Sequence, residues 1–308
     1  MKIGKIPENV LKRSVLKQLH TKRQEVVLGA GVGEDCAAVK LAADEMFVLS
    51  TDPITGTVED IGKLAIQITL NDLASAGASP IGVLLTILLP EDTTEAGLKE
   101  IMTEVTAAVN QAIITVCGVG KVKDGKVIST AGARAGMDIL VTKWIGIEGT
   151  SIIAKEQEKR LRERFSVPFI ESAKGLDRFL SVLPEAEIAV RCGVCAMHDV
   201  TEGGIFGALW EMAEASGVGL EIDVKKIPIR QETVEVCEFF GINPYQLISS
   251  GCMLMAAENG MTLQRELEKA GICASVIGKA TEGNDRVLLN EDERRFLEPP
   301  KTDELYKV

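Results

Sequence analysis

Five apolar positions, Ile205, Ala208, Leu209, Met212 and Ala213, recur at i, i+3, i+4, i+7 and i+8 and predict an amphipathic helix. Directly before it stands Met197-His198-Asp199-Val200-Thr201-Glu202-Gly203-Gly204. A glycine pair opening such a helix lets an anion approach backbone N–H groups at the positive end of the helix dipole. Thr201 is the expected N-cap. Taken alone, this stretch reads as a strand-to-helix turn with an ordinary cap.

A second stripe, Ile61, Leu64, Ala65 and Ile68, predicts a helix that Thr57-x-x-Asp60 opens as a capping box, with Gly77 as its C-cap and Pro80 preventing continuation. Continued by i+4, i+7 and i+11 from Ile61, this stripe arrives at Asp72, with Asn71 beside it. A carboxylate on an apolar stripe is informative, because buried charges are paired or bind metals. Before this helix, residues 7–20 read as a helix ending at a solvated His20, Cys36 to Val39 as a short strand, and Met46 to Ser50 as a strand placing Asp52 at its end. Ile81 to Leu89 is a buried strand. Thr93 or Thr94 caps a helix that turns Leu98, Ile101, Met102 and Val105 inward. Ile113 to Val119 and Val127 to Ser129 read as strands around a Lys123-Asp124-Gly125-Lys126 hairpin turn, and Asp138 to Thr142 as another strand.

In the second half, Gly146 to Ala154 leads into a charged helix through Arg164, followed by a helix around Leu176, Phe179, Leu180 and Leu183. Ile188 to Val190 fits a strand or a helix end. Strands are expected at Gly219 to Val224, Met253 to Ala257, Ser275 to Lys279 and, last, Arg286 to Asn290. Helices are expected at Thr233 to Phe240 and Leu263 to Ala270. Helices and strands mix in both halves without regular βαβ spacing, which favours α+β over a Rossmann fold. The boundary is placed near Ser129 to Arg134, giving domains 1–130 and 131–308.

Composition refines this picture. Hydrophobic residues make up 46 %, enough for packed cores, while aromatics at 4 % leave the packing to aliphatic side chains. A net charge of −11 argues against a general nucleic-acid or anionic-membrane surface, although metal ions or helix N-termini can still supply local positive charge to a nucleotide. The seven scattered cysteines read as reduced thiols, no signal-peptide pattern opens the sequence, and a cytoplasmic location is expected.

Several candidate chemistries are weak. Gly29-Ala30-Gly31-Val32-Gly33 invites a dinucleotide fingerprint, but Glu34 stands where the third glycine belongs and a strand, not a helix, follows. Cys192-Gly193-Val194-Cys195 with His198 offers three ligands rather than the four of a structural zinc site, and reads better as two small core residues. His198 is open to two readings, a structural one and a general base or orienter of Asp199. The carboxylates form a stronger pattern. Asp35 stands at a strand start, Asp52 at a strand end, Asp72 on the inner face of a helix and Asp199 at the glycine-rich entrance. Four such placements suit oxygen-ligated Mg²⁺, which takes carboxylates together with substrate phosphates. Together they point to a metal–nucleotide site.

Gly31 to Val39, Ser50-Thr51-Asp52-Pro53, Asn71 to Pro80 and Met197 to Gly204 occur in an order that resembles the AIR synthase superfamily, and within it the hydrogenase expression/formation (HypE) branch, which Ser216 to Ile222 and Ile227-Pro228 also resemble. The resemblance spans nearly the whole chain. It implies a two-domain α+β fold in which N-terminal domains pair into a homodimer around a β-barrel and the C-terminal domain is an α/β sandwich. It implies ATP held by Mg²⁺ and carboxylates in a cleft between the domains. By motif position, Asp35, Asp52, Asp72 and Asp199 are similar to the carboxylates of the metal and phosphates. Gly203 and Gly204 are similar to the second domain's share, and Asn71, Thr201 and Glu104 are further nucleotide candidates. Asp199 with His198 would carry the chemistry. Family members use the γ-phosphate of ATP to activate an amide, carbamoyl or phosphate oxygen of a small or protein-borne acceptor, by positioning and charge neutralisation. A maturation partner protein is implied as well. A catalytically silent ATP-binding partner and a thiamine-phosphate kinase-like or AIR synthase-like activity stand as alternatives.

Two departures from the family pattern are visible. No cysteine follows Cys273, whereas the HypE branch ends in a cysteine-bearing tail that carries the carbamoyl group; an acceptor elsewhere is expected. Between Met102 and Thr103 the resemblance implies that roughly 15–20 residues, a helix end, a turn and a strand, are absent. They are either deleted or missing from the chain at that point, and an interrupted helix there would show the latter.

Overall fold

The structure, a computed structural model, describes residues 10–18, 23–28, 38–54, 61–88, 94–104, 113–123, 126–299 and 302–308. It divides into two compact units, Met1–Leu73 with Ala78–Lys126 and Ala74–Gly77 with Val127–Val308. Asp35, His20 and the Thr57 to Asp60 capping box lie outside the described residues.

The first unit contains strands β1 (Val26–Leu28), β2 (Ala38–Val39) and β3 (Glu45–Ile54), helix α1 (Ile61–Ser75), β4 (Ser79–Leu88), α2 (Glu95–Glu104) and β5 (Ile113–Lys123). β1 and β2 pair antiparallel, and β3, β5 and β4 form an antiparallel sheet with β5 in the centre. The expected hairpin from β5 to Val127–Ser129 does not form. β5 pairs along its length with β3 and β4, which satisfies its backbone on both edges, and the Ile128 N–H bonds to the Ala76 carbonyl instead. The sheet is open among the described residues, and a closed barrel is not seen within one chain.

α1 lies on this sheet where β5 carries Gly118 and Gly120. A Cβ on Gly118 would come 2.5 Å from Thr69 Cγ2, and one on Gly120 would come 3.3 Å from Leu73 Cδ2. The glycines let the helix approach closely, and they set its register. The buried stripe runs through Leu64, Ala65, Thr69 and Leu73, with Asn71 also buried, while Ile68 and Asp72 sit half-buried on its flank. The expected stripe ending on Asp72 is therefore one residue out of phase. Gly77 caps α1 as expected, at φ +72°, with the Ala78 N–H bonding back to the Leu73 carbonyl. The opposite face of the sheet exposes Phe47, Leu49 (66 % exposed) and Leu84 (56 %). α2 is continuous through Met102 and Thr103, so the version of that expectation in which the helix is interrupted there is not met.

The second unit contains β6 (Asp138–Thr142), α3 (Ile147–Glu156), α4 (Glu158–Leu161), α5 (Val167–Lys174), α6 (Leu183–Arg191), β7 (Ala196–Asp199), α7 (Gly204–Ser216), β8 (Gly219–Asp223), α8 (Gln231–Phe240), β9 (Met253–Ala257), α9 (Gly260–Lys269), β10 (Ala274–Thr281), β11 (Arg286–Asn290) and β12 (Glu293–Phe296). Its seven strands lie in the order β12-β11-β8-β10-β6-β9-β7, antiparallel except for β11 with β8. The neighbouring strands β6 and β9 are buried on both faces. On β9, Leu254 and Ala256 join Ile205, Leu209 and Met212 of α7, while Met253 and Met255 join Ala186 and Ala189 of α6 and Leu263 of α9. That explains why Met253 to Ala257 is apolar throughout rather than alternating.

Three local expectations are corrected here. The helix expected around Leu176 to Leu183 is instead α5, a 3₁₀ turn at Gly175–Phe179 and then α6, which Pro184 opens in its first turn and which contains Ile188 to Val190. Arg286–Asn290 is followed by one more strand, the exposed edge strand β12. Cys192 is exposed at the end of α6, not in the core, and Cys195 is half-buried. The described cysteines are all free thiols, and among the described residues no helix is long and apolar enough to cross a membrane.

Candidate functional site

In the first unit, β3 runs two residues past Asp52, which is therefore inside the strand rather than at its end. Alternation along the strand puts Ser50 and Asp52 on one face, about 7 Å apart. Asp72 reaches that face from α1, where its Oδ2 accepts a hydrogen bond from the Ser50 hydroxyl. Two acidic oxygen donors thus belong to adjoining elements of one unit, one on the strand face and one tethered to it. Asn71 is fully buried, its Oδ1 accepting from Gln67 Nε2 at 3.0 Å. Glu104 closes α2, and its side chain lies outside the described residues.

In the second unit, Asp199 ends β7 opposite Met253 and is buried, while its neighbour His198 points to the other face of the strand. His198 Nε2 lies 2.8 Å from Glu211 Oε2 on α7, so the partner of the imidazole is Glu211 and not Asp199. Thr201 does not cap α7. The N-cap is Gly203 at φ +83°, followed by Gly204 at φ +62°, and the Thr201 carbonyl accepts the Gly204 N–H at 3.1 Å. Two consecutive left-handed residues require glycine at both positions. Gly204 is also pressed against the chain at 245–247: a Cβ there would lie 2.6 Å from the Tyr245 carbonyl oxygen and 2.8 Å from that of Leu247.

The sequence pattern missed two acids near this turn. Glu148, in the first turn of α3, is buried, and its Oε2 accepts the Ser250 N–H at 3.1 Å. Burial, reinforced by the charges of Asp303 and Asp199, pushes its carboxyl up to about 7 despite that hydrogen bond. Asp303 is buried too, and accepts the Gly203 N–H at 2.7 Å. An acid inside Ile147-Glu148-Gly149 is a sequence signal of burial; nothing local marks Asp303.

The folded pKa of Glu148 lies above its ordinary 4.5, so the folded state holds this proton more tightly than the unfolded chain. That contribution to stability is complete below about pH 4.5 and is lost as pH rises through about 7. Glu148→Gln, which still accepts from Ser250, is expected to exceed the wild type in stability at pH 8 by on the order of 3 kcal/mol and to match it near pH 4. Urea unfolding at both pH values measures this, and equal stabilities at pH 8 would contradict it.

The donor set suits Mg²⁺. All four expected ligands are carboxylates, a hard-oxygen set. Among the described residues, no three His, Cys, Asp or Glu side chains gather into a metal-holding group. Mg²⁺ is characteristically held by one or two carboxylates and completed by substrate phosphates, and Asp52 and Asp72 fit that pattern.

Fold and motif order together define a two-domain α+β protein of the AIR synthase type. The family model for AIR synthase-related proteins, N-terminal domain, matches residues 33–137, and that for the C-terminal domain matches residues 134–289. The chain belongs to the AIR synthase-related family. Several of its relatives lie on the HypE side of that family. A Methanocaldococcus jannaschii protein, named provisionally as a hydrogenase expression/formation protein, is 30 % identical over 99 % of this chain and 97 % of its own. The carbamoyl dehydratase HypE of Cupriavidus necator is 30 % identical over 78 % of this chain and 76 % of its own. A crystal structure of the hydrogenase maturation protein HypE in complex with ATP superposes with a TM-score of 0.79 at 18 % identity, covering 98 % of this chain and 97 % of that one. A chain of a HypE–HypF complex structure gives 0.70 at 22 %, covering 82 % of this chain and 90 % of that one.

Proposed function

We propose that this chain binds ATP with Mg²⁺ and uses the γ-phosphate to activate an amide, carbamoyl or phosphate oxygen of an acceptor. The observation that carries the reading is the tether of Asp72 to the strand face bearing Asp52, in a chain whose HypE relatives are carbamoyl dehydratases. On the first unit Asp52 and Asp72, with Asp35, would hold the metal, which would supply charge neutralisation to the phosphates, and Asp199 is the carboxylate proposed for the same role on the second unit. Gly203 and Gly204 shape the entrance of α7, and Thr201 and Glu104 would border the nucleotide, while Asn71, fully buried and bonded to Gln67, would act by holding α1 in place. The glycine pair orients backbone at a helix terminus that favours negative charge. His198, oriented by Glu211, is placed to hold or release a proton, with Asp199 as the acid beside it in sequence. The acceptor is a small molecule or a protein-borne group, delivered by a maturation partner as the HypE–HypF complex suggests. The proposed setting is the reducing cytoplasm, consistent with the free thiols.

The test is titration of the purified chain with ATP, with and without Mg²⁺, followed by ADP release against a panel of primary amides, carbamoyl compounds and phosphate monoesters. No ATP binding overturns the reading. Tight binding with no ADP release from any acceptor would replace it by a nucleotide-binding partner without turnover.

The chain is proposed to act as a homodimer through the open sheet of the first unit. Phe47, Leu49 and Leu84 form an exposed apolar face, which in a monomer would be left in water. Leu49→Lys is expected to weaken the dimer more than 100-fold, since burying an unpaired ammonium costs about 3 kcal/mol or more. Sedimentation of both proteins across a concentration series decides it; an unchanged mass would place the dimer contact elsewhere.

A further inference from the structure

The anion at the entrance of α7 is the protein's own. Asp303 Oδ2 accepts the Gly203 N–H at 2.7 Å, and Oδ1 accepts the Ile248 N–H at 3.2 Å and the Leu305 N–H at 2.8 Å. The carboxylate is 1 % exposed. Gly203 and Ile248 belong to the two segments that meet at Gly204, where an added Cβ would run into the Tyr245 and Leu247 carbonyls. Next to that contact, Phe206 of α7 stacks on Tyr245 with ring centroids 5.0 Å apart. One side chain therefore holds both walls of the junction. The segment that carries it is itself anchored: the Asn243 N–H donates to Glu304 Oε2 at 3.2 Å, and Leu305 and Val308 pack on the cluster of Val236, Ile242 and Leu247.

A carboxylate is an expensive choice for mere packing. Burial raises its pKa, and Glu202 adds like charge. The same group also raises the pKa of Glu148. What it supplies that an apolar residue cannot is acceptors for N–H groups of two different segments at once, in fixed directions.

We infer that Asp303 is a positioning residue for the glycine-rich entrance: it fixes the 199–206 turn against the 245–250 segment, and so sets the geometry that the second unit offers to a nucleotide. The nucleotide part rests on the function proposed above; the clamp does not.

The test uses full-length protein carrying Asp303→Asn, which preserves size but turns one acceptor into a donor facing an N–H. Hydrogen exchange read by mass spectrometry is expected to rise at least tenfold in peptides covering 199–209 and 245–252 together, with α9 unchanged. Mg²⁺·ATP affinity is expected to fall at least fivefold at a temperature well below unfolding. Faster exchange confined to 302–308, or both distant segments quiet, would overturn the clamp. Should the variant not fold, the wild type decides: adding Mg²⁺·ATP is expected to slow exchange in 199–209, 245–252 and 302–308 as one unit, and a silent 302–308 beside a protected 199–209 would overturn the inference. A wild type that takes no ATP removes the nucleotide reading, and exchange in Asp303→Asn, or in Asp303→Ser if that variant does not fold, still decides the clamp.

Discussion

Replacing Asp72 by asparagine is expected to weaken Mg²⁺·ATP binding about 10–100-fold, equivalent to about 1.5–3 kcal/mol, and to leave metal-free ATP binding unchanged. The side chain keeps its size, so Ser50 retains an acceptor and α1 keeps its seat on the glycine face of the sheet. What disappears is a negative charge directed at the cation. Asp72 is half-buried, on the flank of the helix rather than in its core, and so is accessible for this role at little cost to folding. Asp52→Asn should behave alike, and the double variant should lose less than the sum of the two, since groups that hold one ion do not act independently. Calorimetric titration with and without Mg²⁺ reads all three. Unchanged affinity in Asp72→Asn would remove the first unit's carboxylates from the site.

Gly204→Ala is expected to damage the second unit severely. A left-handed conformation costs an alanine about 1–2 kcal/mol, and the added methyl would also sit 2.6 Å from a backbone carbonyl that cannot rotate away. Gly217→Ala is the matched control, because Gly217 has φ +65° against +62° for Gly204, but nothing lies within 4 Å of its Cβ position. The control should lose about 1–2 kcal/mol and Gly204→Ala at least 2 kcal/mol more, a further fall of roughly 4–8 °C or more in the unfolding midpoint. Equal midpoints would show that the 245–247 segment yields, and with it the close approach on which the clamp by Asp303 depends.

The two glycines of this turn show how a motif can be legible while its reason is not. Their presence before an amphipathic stripe announced a helix entrance with an affinity for anions. The structure gives the entrance an internal carboxylate and gives Gly204 a packing role, so an anion site drawn from the motif alone was incomplete. Asp72 carries a similar lesson. Its helix was legible from apolar spacing, but its phase was set by Gly118 and Gly120 on a strand more than forty residues away.

What the sequence by itself determined is what periodicity and local stereochemistry control. These are the α7 stripe, every member of which is buried, the C-terminal end of α1 with its Gly77 cap, the doubly buried strand Met253 to Ala257, and an ordered set of motifs that places the chain in its family. Only the tertiary structure decided that β5 is a central strand rather than half of a hairpin, that His198 turns to Glu211, that Glu148 is buried beside like charges, and that Asp303 reaches back one hundred positions to Gly203. The physical reason is the same in each case. Helix and strand periods are properties of neighbouring residues, whereas edge pairing, close approach and the meeting of buried acids depend on which distant surfaces exclude water together.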